Sequence, residues 1–203
     1  EENGLMDNTV IIYCSDQGYY LGEHNYIDKR WFFKEGVNMP FVVRYPKLFK
    51  PGTVNDDLIL NVDIAPFLLE LAGGQTPDYM QGRSFLANLK GRTPDDWREA
   101  YCYHYWDQNS RPAHYGLQTE DYRLIFFYGL KLDPERAGMS RKKEAGNRKP
   151  PTKASGYGWE LYNLKKDPDE SRNVFNNPEY KEVIKTLVKQ LDAKKEALGD
   201  PDS

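Results

Sequence analysis

The sequence predicts an α/β layer followed by a small antiparallel sheet packed by a C-terminal helix. Three patterns carry that prediction. Two short apolar runs rich in β-branched and aromatic residues, "TVIIYC" and "MPFVVRYP", flank a polar stretch and precede a helical pattern. Four aromatic runs separated by turn residues come next. An amphipathic helix then follows them.

"TVIIYC", from Thr9 to Cys14, has the length and composition of a strand covered on both faces. "MPFVVRYP", residues 39–46, reads as a second such strand, with Pro at entry and exit. Strand, polar loop and returning strand therefore form one unit. "VDIAPFLLELAGG" is a helical pattern in which Asp63 can cap the start, Pro66 fits the first turn and Gly73 suits the stop. Strands alternating with helices indicate an α/β layer, assigned to residues 1–95 and ended by "KGRTPDDW".

Residues 96–203 change character. "REAYCYHYW", "AHYGLQ", "YRLIFFY" and "WELYNL" predict short antiparallel strands. Asn177 and Pro178 start the last helix, and Tyr180, Val183, Ile184, Leu187, Val188, Leu191 and Leu198 share one face. Between the third and fourth aromatic runs, residues 129–158 hold an excess of Lys and Arg among Gly and Pro, which predicts a long basic loop. Such a loop is either a solvated excursion or an electrostatic guide for a polyanionic substrate.

Composition narrows the function classes. The 203-residue chain is long enough to bury a core, and its 14% aromatic content argues against disorder throughout. A net charge of -3 argues against a general nucleic-acid binder. Cys14 and Cys102 show neither zinc spacing nor the density of a disulfide scaffold. No run reaches the length of a membrane span, and no signal peptide stands at the start. The opening "EENGLMDNTVII" lacks a Met start and leads almost at once into a strand, so the expectation is the C-terminal part of a longer protein.

The polar stretch "CSDQGYYLGEHNYIDK" holds most of the chemistry. Asp16 and Gln17 follow the strand, with Gly18 allowing a tight path. A carboxylate beside a carboxamide offers hard oxygen donors suited to Ca²⁺ or Mg²⁺, although Asp-Gln-Gly is also a common turn. Lys29, after Asp28, is either half of a surface ion pair or a cation facing an anionic ester. His24 is a proton donor or a satisfied structural histidine, and the same alternatives hold for His104. His114 opens a strand beside Pro112 and Gly116, where loops gather at a sheet end.

Taken in order, these segments resemble the sulfatase family. A strand, S-D-[HNQ]-G, L-G-E-H, a Lys before an aromatic run and a Pro-initiated strand match "NTVIIYCSDQGYYLGEHNYIDKRWFFKEGVNMPFVVRYP". "NVDIAPFLLELAG", "MQGRSF", "HYGLQTEDYRLIFFY" and "WELYNLKKDPDESRNV" follow in the family's order. The branch most similar is that of N-acetylglucosamine-6-sulfatases and mucin-desulfating sulfatases. The resemblance covers nearly all of the chain except the basic stretch. It implies the last portion of an alkaline-phosphatase-like α/β fold, followed by a small sheet-and-helix subdomain.

For individual residues, the resemblance makes Asp16 and Gln17 ligands of one Ca²⁺ and Lys29 the sulfate-binding cation. His114 becomes a candidate sugar contact and His24 a candidate near the sulfate. Asn38 and Gln118 depart from the family, which often carries Arg before the Pro-initiated strand and Arg-Thr after "HYG". The implied partners are a sulfated carbohydrate and the N-terminal part of the same protein, and the implied location is periplasmic or secreted. The family's formylglycine arises from C/S-x-P-x-R, which the chain lacks. "SRPAH" is the near miss, with His114 in place of Arg. The chain alone is therefore expected to be inert. The alternatives are a related phosphodiesterase or phosphonate monoester hydrolase, and a non-catalytic glycan-binding module built on the basic loop.

Overall fold

The structure is a computed structural model that describes residues 2–106, 113–128 and 158–200. In chain order its elements are β1 (Ile11–Cys14), β2 (Tyr20–Leu21), β3 (Ile27–Asp28), α1 (Lys34–Val37), β4 (Phe41–Arg44), α2 (Ile64–Leu71) and α3 (Leu86–Leu89). β5 (Ala100–Tyr105), β6 (His114–Thr119), β7 (Tyr122–Phe127), β8 (Gly158–Asn163) and α4 (Lys181–Leu198) follow. The described chain divides into two compact units. One comprises the residues up to Gly18 with Asn38–Glu99, and the other comprises Tyr19–Val37 with the residues from Ala100 onward. The junction at Glu99 and Ala100 lies close to the sequence division at 95, but Tyr19–Val37 packs with the second unit.

In the first unit, β1 pairs antiparallel with β4, Ile11 opposite Arg44 and Cys14 opposite Phe41. Ile12, Phe41 and Val43 pack on a core of Phe49, Phe67, Phe85, Leu86 and Trp97, in which the Phe67 and Phe85 rings stack at 4.3 Å. Within this chain one face of the β1–β4 pair is open, with Ile11, Tyr13 and Val42 exposed. The period of two sends alternate side chains to opposite faces, and among the described residues β4 is the single strand paired with β1.

α2 forms where its pattern predicted, and its end is a Schellman stop. Gly73 takes φ +80°, its N–H donates to Glu70 O at 3.0 Å, and Gly74 N–H donates to Leu69 O at 2.8 Å. Its start differs from the expectation. Asp63 makes no side-chain cap to the helix. Its fully buried carboxylate instead accepts the Leu60 and Arg83 N–H groups, each at 2.8 Å, and pairs with Arg98 through both oxygens. A buried carboxylate with a guanidinium within reach gains more from that pair than from one helix N–H.

The second unit is built on an antiparallel sheet in the order β5-β6-β7-β8, as the aromatic runs predicted. One cluster contains Leu117, Leu124, Leu161, Tyr180, Leu187 and Leu191, placing α4 against this sheet. Fully burying each such leucine contributes about 1.5–3 kcal/mol. Asn177 starts α4 through a 3-10 turn, its Oδ1 accepting the Glu179 N–H at 3.1 Å. Asn177→Ala is expected to cost about 1 kcal/mol, measured as a lower Tm. Leu198 is not part of the buried face: it is exposed, and Lys195 is buried instead, its Nζ 3.6 Å from the Tyr115 ring centre. The long apolar stem of lysine and a cation–π contact make that burial tolerable.

A second cluster of this unit contains Tyr20, Trp31, Phe32, Phe33, Ile125, Phe127 and Tyr162. Gly116 makes room for it, because a Cβ there would lie 2.3 Å from Leu124 O and 2.7 Å from the Phe32 ring. That close approach explains the glycine of "HYG". The basic stretch 129–157 and the Ser110–Pro112 part of "SRPAH" lie outside the described residues. No described helix is long and apolar enough to cross a membrane.

Candidate functional site

Asp16 and Gln17 stand in the bend that immediately follows β1. Two contacts fix the backbone there. Ser15 Oγ donates to Gln17 O at 2.8 Å, and Asn61 Nδ2 donates to Asp16 O at 2.6 Å. Both bonds use main-chain oxygens, so neither the Gln17 carboxamide nor most of the Asp16 carboxylate is consumed in holding the turn. Asp16 is exposed, Gln17 is half-buried, and Asp16 forms no ion pair among the described residues. Two adjacent hard oxygen donors at a strand end fit part of a Ca²⁺ shell, which takes six to eight such ligands. The remaining donors would come from outside this pair.

Lys29, His24 and His114 belong to the second unit, whereas Asp16 and Gln17 belong to the first. Lys29 follows β3 and is half-buried. Of the two readings of Lys29, the ion pair with Asp28 does not form: Asp28 pairs with Arg30. Lys29 has no ion-pair partner among the described residues. A half-buried ammonium with no carboxylate beside it among the described residues has the chemistry to pair with an anion.

The loop around Lys29 is tied down at both ends. His24 stacks on Phe33 with ring centres 4.5 Å apart, and its Nε2 faces Glu35 Oε2 at 3.3 Å. Tyr26 stacks on Trp31 at 4.5 Å. Tyr20 Oη donates to Trp31 O at 3.1 Å and accepts the Phe33 N–H at 3.3 Å. Burial pushes the Tyr20 phenol well above its ordinary value, so it stays protonated and remains a donor. Tyr103 Oη donates to Arg30 O at 3.3 Å, and burial pushes that phenol up to about 12.

Glu170 anchors the start of α1. Its Oε2 accepts the Lys34 N–H at 2.6 Å, and Arg123 Nη1 donates to both of its oxygens at 2.6 Å. Arg123 and Glu170 are each 1% exposed. The Arg123 guanidinium lies 5.0 Å from the Phe32 ring centre, and its Nη2 donates to Gln118 Oε1. Gln118 also accepts from Tyr101 Oη at 2.7 Å. The departure at Gln118 therefore has a structural reason: a neutral acceptor suits a place already holding Arg123, where a second guanidinium would add buried like charge.

His114 is fully buried and faces the rings of Trp31, Tyr103, Tyr105 and Phe127 at 5.0–5.7 Å. The fold gives it the surroundings of a core histidine. His104, between Asp200 and Tyr128 at 2.7 and 2.6 Å, is likewise tied into the fold. Sequence reasoning missed Glu35, Arg123 and Glu170. Only the position of Glu35 shortly after the Lys29 motif could have pointed to it, whereas Glu170 meets Lys34 from 136 residues away.

Comparisons with known proteins agree with this architecture. A family model described as N-sulphoglucosamine sulphohydrolase, C-terminal, matches residues 22–136 and 154–197. An N-acetylglucosamine-6-O-sulfatase of Bacteroides thetaiotaomicron is 37% identical over 207 residues, covering 100% of this chain and 33% of the relative. A structure solved in complex with its substrate, D-glucosamine-2-N,6-O-disulfate, superposes with a TM-score of 0.81 at 35% identity. That match covers 99% of this chain and 37% of the other. The phosphonate monoester hydrolase of Agrobacterium radiobacter shares the fold, with a TM-score of 0.70 at 22% identity, over 95% of this chain and 36% of that one. The chain thus spans about a third of the length of these relatives. With most of its residues matched, the chain belongs to the N-sulphoglucosamine sulphohydrolase C-terminal family of sulfatases.

Proposed function

We propose that the protein carrying this chain is a sulfatase acting on sulfated glycans, with 6-O-sulfated N-acetylglucosamine as the favoured substrate class. The observation that carries this reading is 37% identity to an N-acetylglucosamine-6-O-sulfatase along the entire chain. The superposition on a structure holding a 6-O-sulfated glucosamine supports it. A periplasmic or secreted location suits an enzyme of such glycans, and a relative from Drosophila melanogaster is described as an extracellular sulfatase. The phosphonate hydrolase reading rests on a likeness of fold alone.

Within that enzyme this chain supplies binding groups. Asp16 and Gln17 would hold Ca²⁺ through their side-chain oxygens, consistent with the hard-donor chemistry of the pair. Bound there, the ion would offset negative charge developing on a sulfate oxygen. Lys29 binds the sulfate and stabilises the charge that grows on its oxygens as the ester bond breaks. The nucleophile is not a contribution of this chain, since no C/S-x-P-x-R motif stands in it. In that reading the family's formylglycine is supplied by the N-terminal part.

The test is kinetic and thermal, on the full-length protein. N-acetylglucosamine-6-sulfate should be hydrolysed well ahead of the 6-phosphate of the same sugar and of a phosphonate monoester. Preference for either phosphorus ester would overturn the sulfatase reading. Calcium at about 100 times its Kd should raise stability by about 2.7 kcal/mol. Asp16→Ala should abolish most of that rise. A calcium response equal in wild type and variant would remove Asp16 from the metal shell.

A further inference from the structure

Left-handed backbone is not scattered over this chain. Among the described residues, five non-glycine positions have positive φ: His24 (52°), Asn25 (61°), Asp28 (90°), Arg30 (96°) and Glu170 (50°). Four of them lie within residues 24–30 and flank Lys29, and the fifth is the residue that anchors α1. Such conformations cost side chains with a Cβ, and they persist only where the surroundings over-determine them.

The surroundings here do so through charge as well as packing. His24 stands before Lys29 and Glu35 after it, and the two meet at 3.3 Å, closing the loop on itself. Ligand atoms of His24, Glu35 and Glu170 lie within 4.8 Å of one another. A metal ion is the obvious occupant for three such groups, but Glu170 is already committed. Both of its oxygens accept from Arg123, and one also accepts the Lys34 N–H. A cation at this place would have to compete with a buried guanidinium. Two carboxylates, Glu35 and Glu170, face two nitrogen-bearing side chains, His24 and Arg123, and Glu35 Oε2 meets His24 at ion-pair distance without a hydrogen bond.

We infer that His24, Glu35 and Glu170 are positioning residues that hold the loop of Lys29 as a preorganised anion clamp. The inference rests on the reading of Lys29 as the sulfate ligand. His24 then acts through the loop rather than by touching the sulfate. Glu170 sets the origin of α1, Glu35 projects from that helix, and His24 draws the start of the loop onto it. Lys29 is presented between these two ends at a cost in strain met before the substrate arrives. Preorganisation of this kind spares the enzyme the cost of ordering the loop at the moment of reaction.

The test uses His24→Gln, Glu35→Gln, their combination and Lys29→Ala in the full-length protein. Gln keeps roughly the size and polarity of both half-buried groups while removing the imidazole of one and the carboxylate of the other. Hydrogen exchange of residues 26–31 should rise about tenfold in each single variant, with exchange in β5–β8 and the Tm unchanged. The kcat on N-acetylglucosamine-6-sulfate should fall about 10–100-fold, since displacing a charged group by about 1 Å costs that order. The double variant should be no worse than either single one, because both remove the same contact. Lys29→Ala should lose activity with loop exchange unaltered. Unchanged exchange at 26–31, or loosening spread over the whole sheet, overturns the clamp, and an inactive Lys29→Ala would then leave the sulfate reading intact. Loosening confined to the loop, with Lys29→Ala fully active, supports the clamp and overturns the sulfate reading instead.

Discussion

Glu170→Ala is expected to destabilise the second unit by about 3–5 kcal/mol, the cost of leaving one member of a buried ion pair alone. Arg123 is 1% exposed and donates to both Glu170 oxygens, so truncation strands a guanidinium that water cannot reach. The Lys34 N–H loses its acceptor at the same time, and it too becomes an unsatisfied donor. Urea unfolding followed by the fluorescence of Trp31, which packs in the same unit, measures the loss. Glu170→Gln should recover part of it, because a carboxamide oxygen still accepts the Lys34 N–H. Replacing both partners, Arg123→Met with Glu170→Leu, should cost less than Glu170→Ala alone, since no uncompensated charge remains. A loss below about 1 kcal/mol for Glu170→Ala would mean that water enters and the pair is not buried in solution.

The second large effect concerns chemistry. Lys29→Ala in the full-length protein is expected to lower kcat on a 6-sulfated N-acetylglucosamine by about 10²–10³-fold, the scale of removing one preorganised charge stabiliser. Its Tm should scarcely move. Lys29 has no ion-pair partner among the described residues, so its removal breaks no ion pair there. Lys29→Arg should restore only part of the activity, because a planar fork and a compact ammonium place their charge differently. Activity within twofold of wild type for Lys29→Ala, a change of about 0.4 kcal/mol in the barrier, would exclude Lys29 from sulfate binding.

Much of this architecture is legible in the chain. The aromatic runs "YRLIFFY" and "WELYNL", bounded by turn residues, read as strands, and they pair as antiparallel neighbours in sequence order. Gly73 at φ +80° and the cap of Asn177 are local effects, decided by a few neighbouring residues, so sequence reasoning reaches them. Asp63 shows where locality ends. Its position before α2 promises a cap, yet Arg98 and Arg83 converge on it from elsewhere in the chain. The same holds for Leu198 and Lys195, where helical periodicity marks a stripe but the edge of that stripe depends on how far the sheet extends.

The amino-acid sequence by itself determined the class of fold, the family and the order of the candidate groups Asp16, Gln17, His24 and Lys29. Those are properties of local pattern and composition, carried by residues close together in the chain. Only the tertiary structure decided what surrounds them. It gave Asp28 to Arg30 and left Lys29 without an ion-pair partner among the described residues, enclosed His114 among aromatic rings, and turned His24 toward Glu35. It also brought Glu170 to the start of α1 across 136 residues. Charges and rings act over a few ångströms of space whatever their separation along the chain, and that separation is what a linear reading cannot cross.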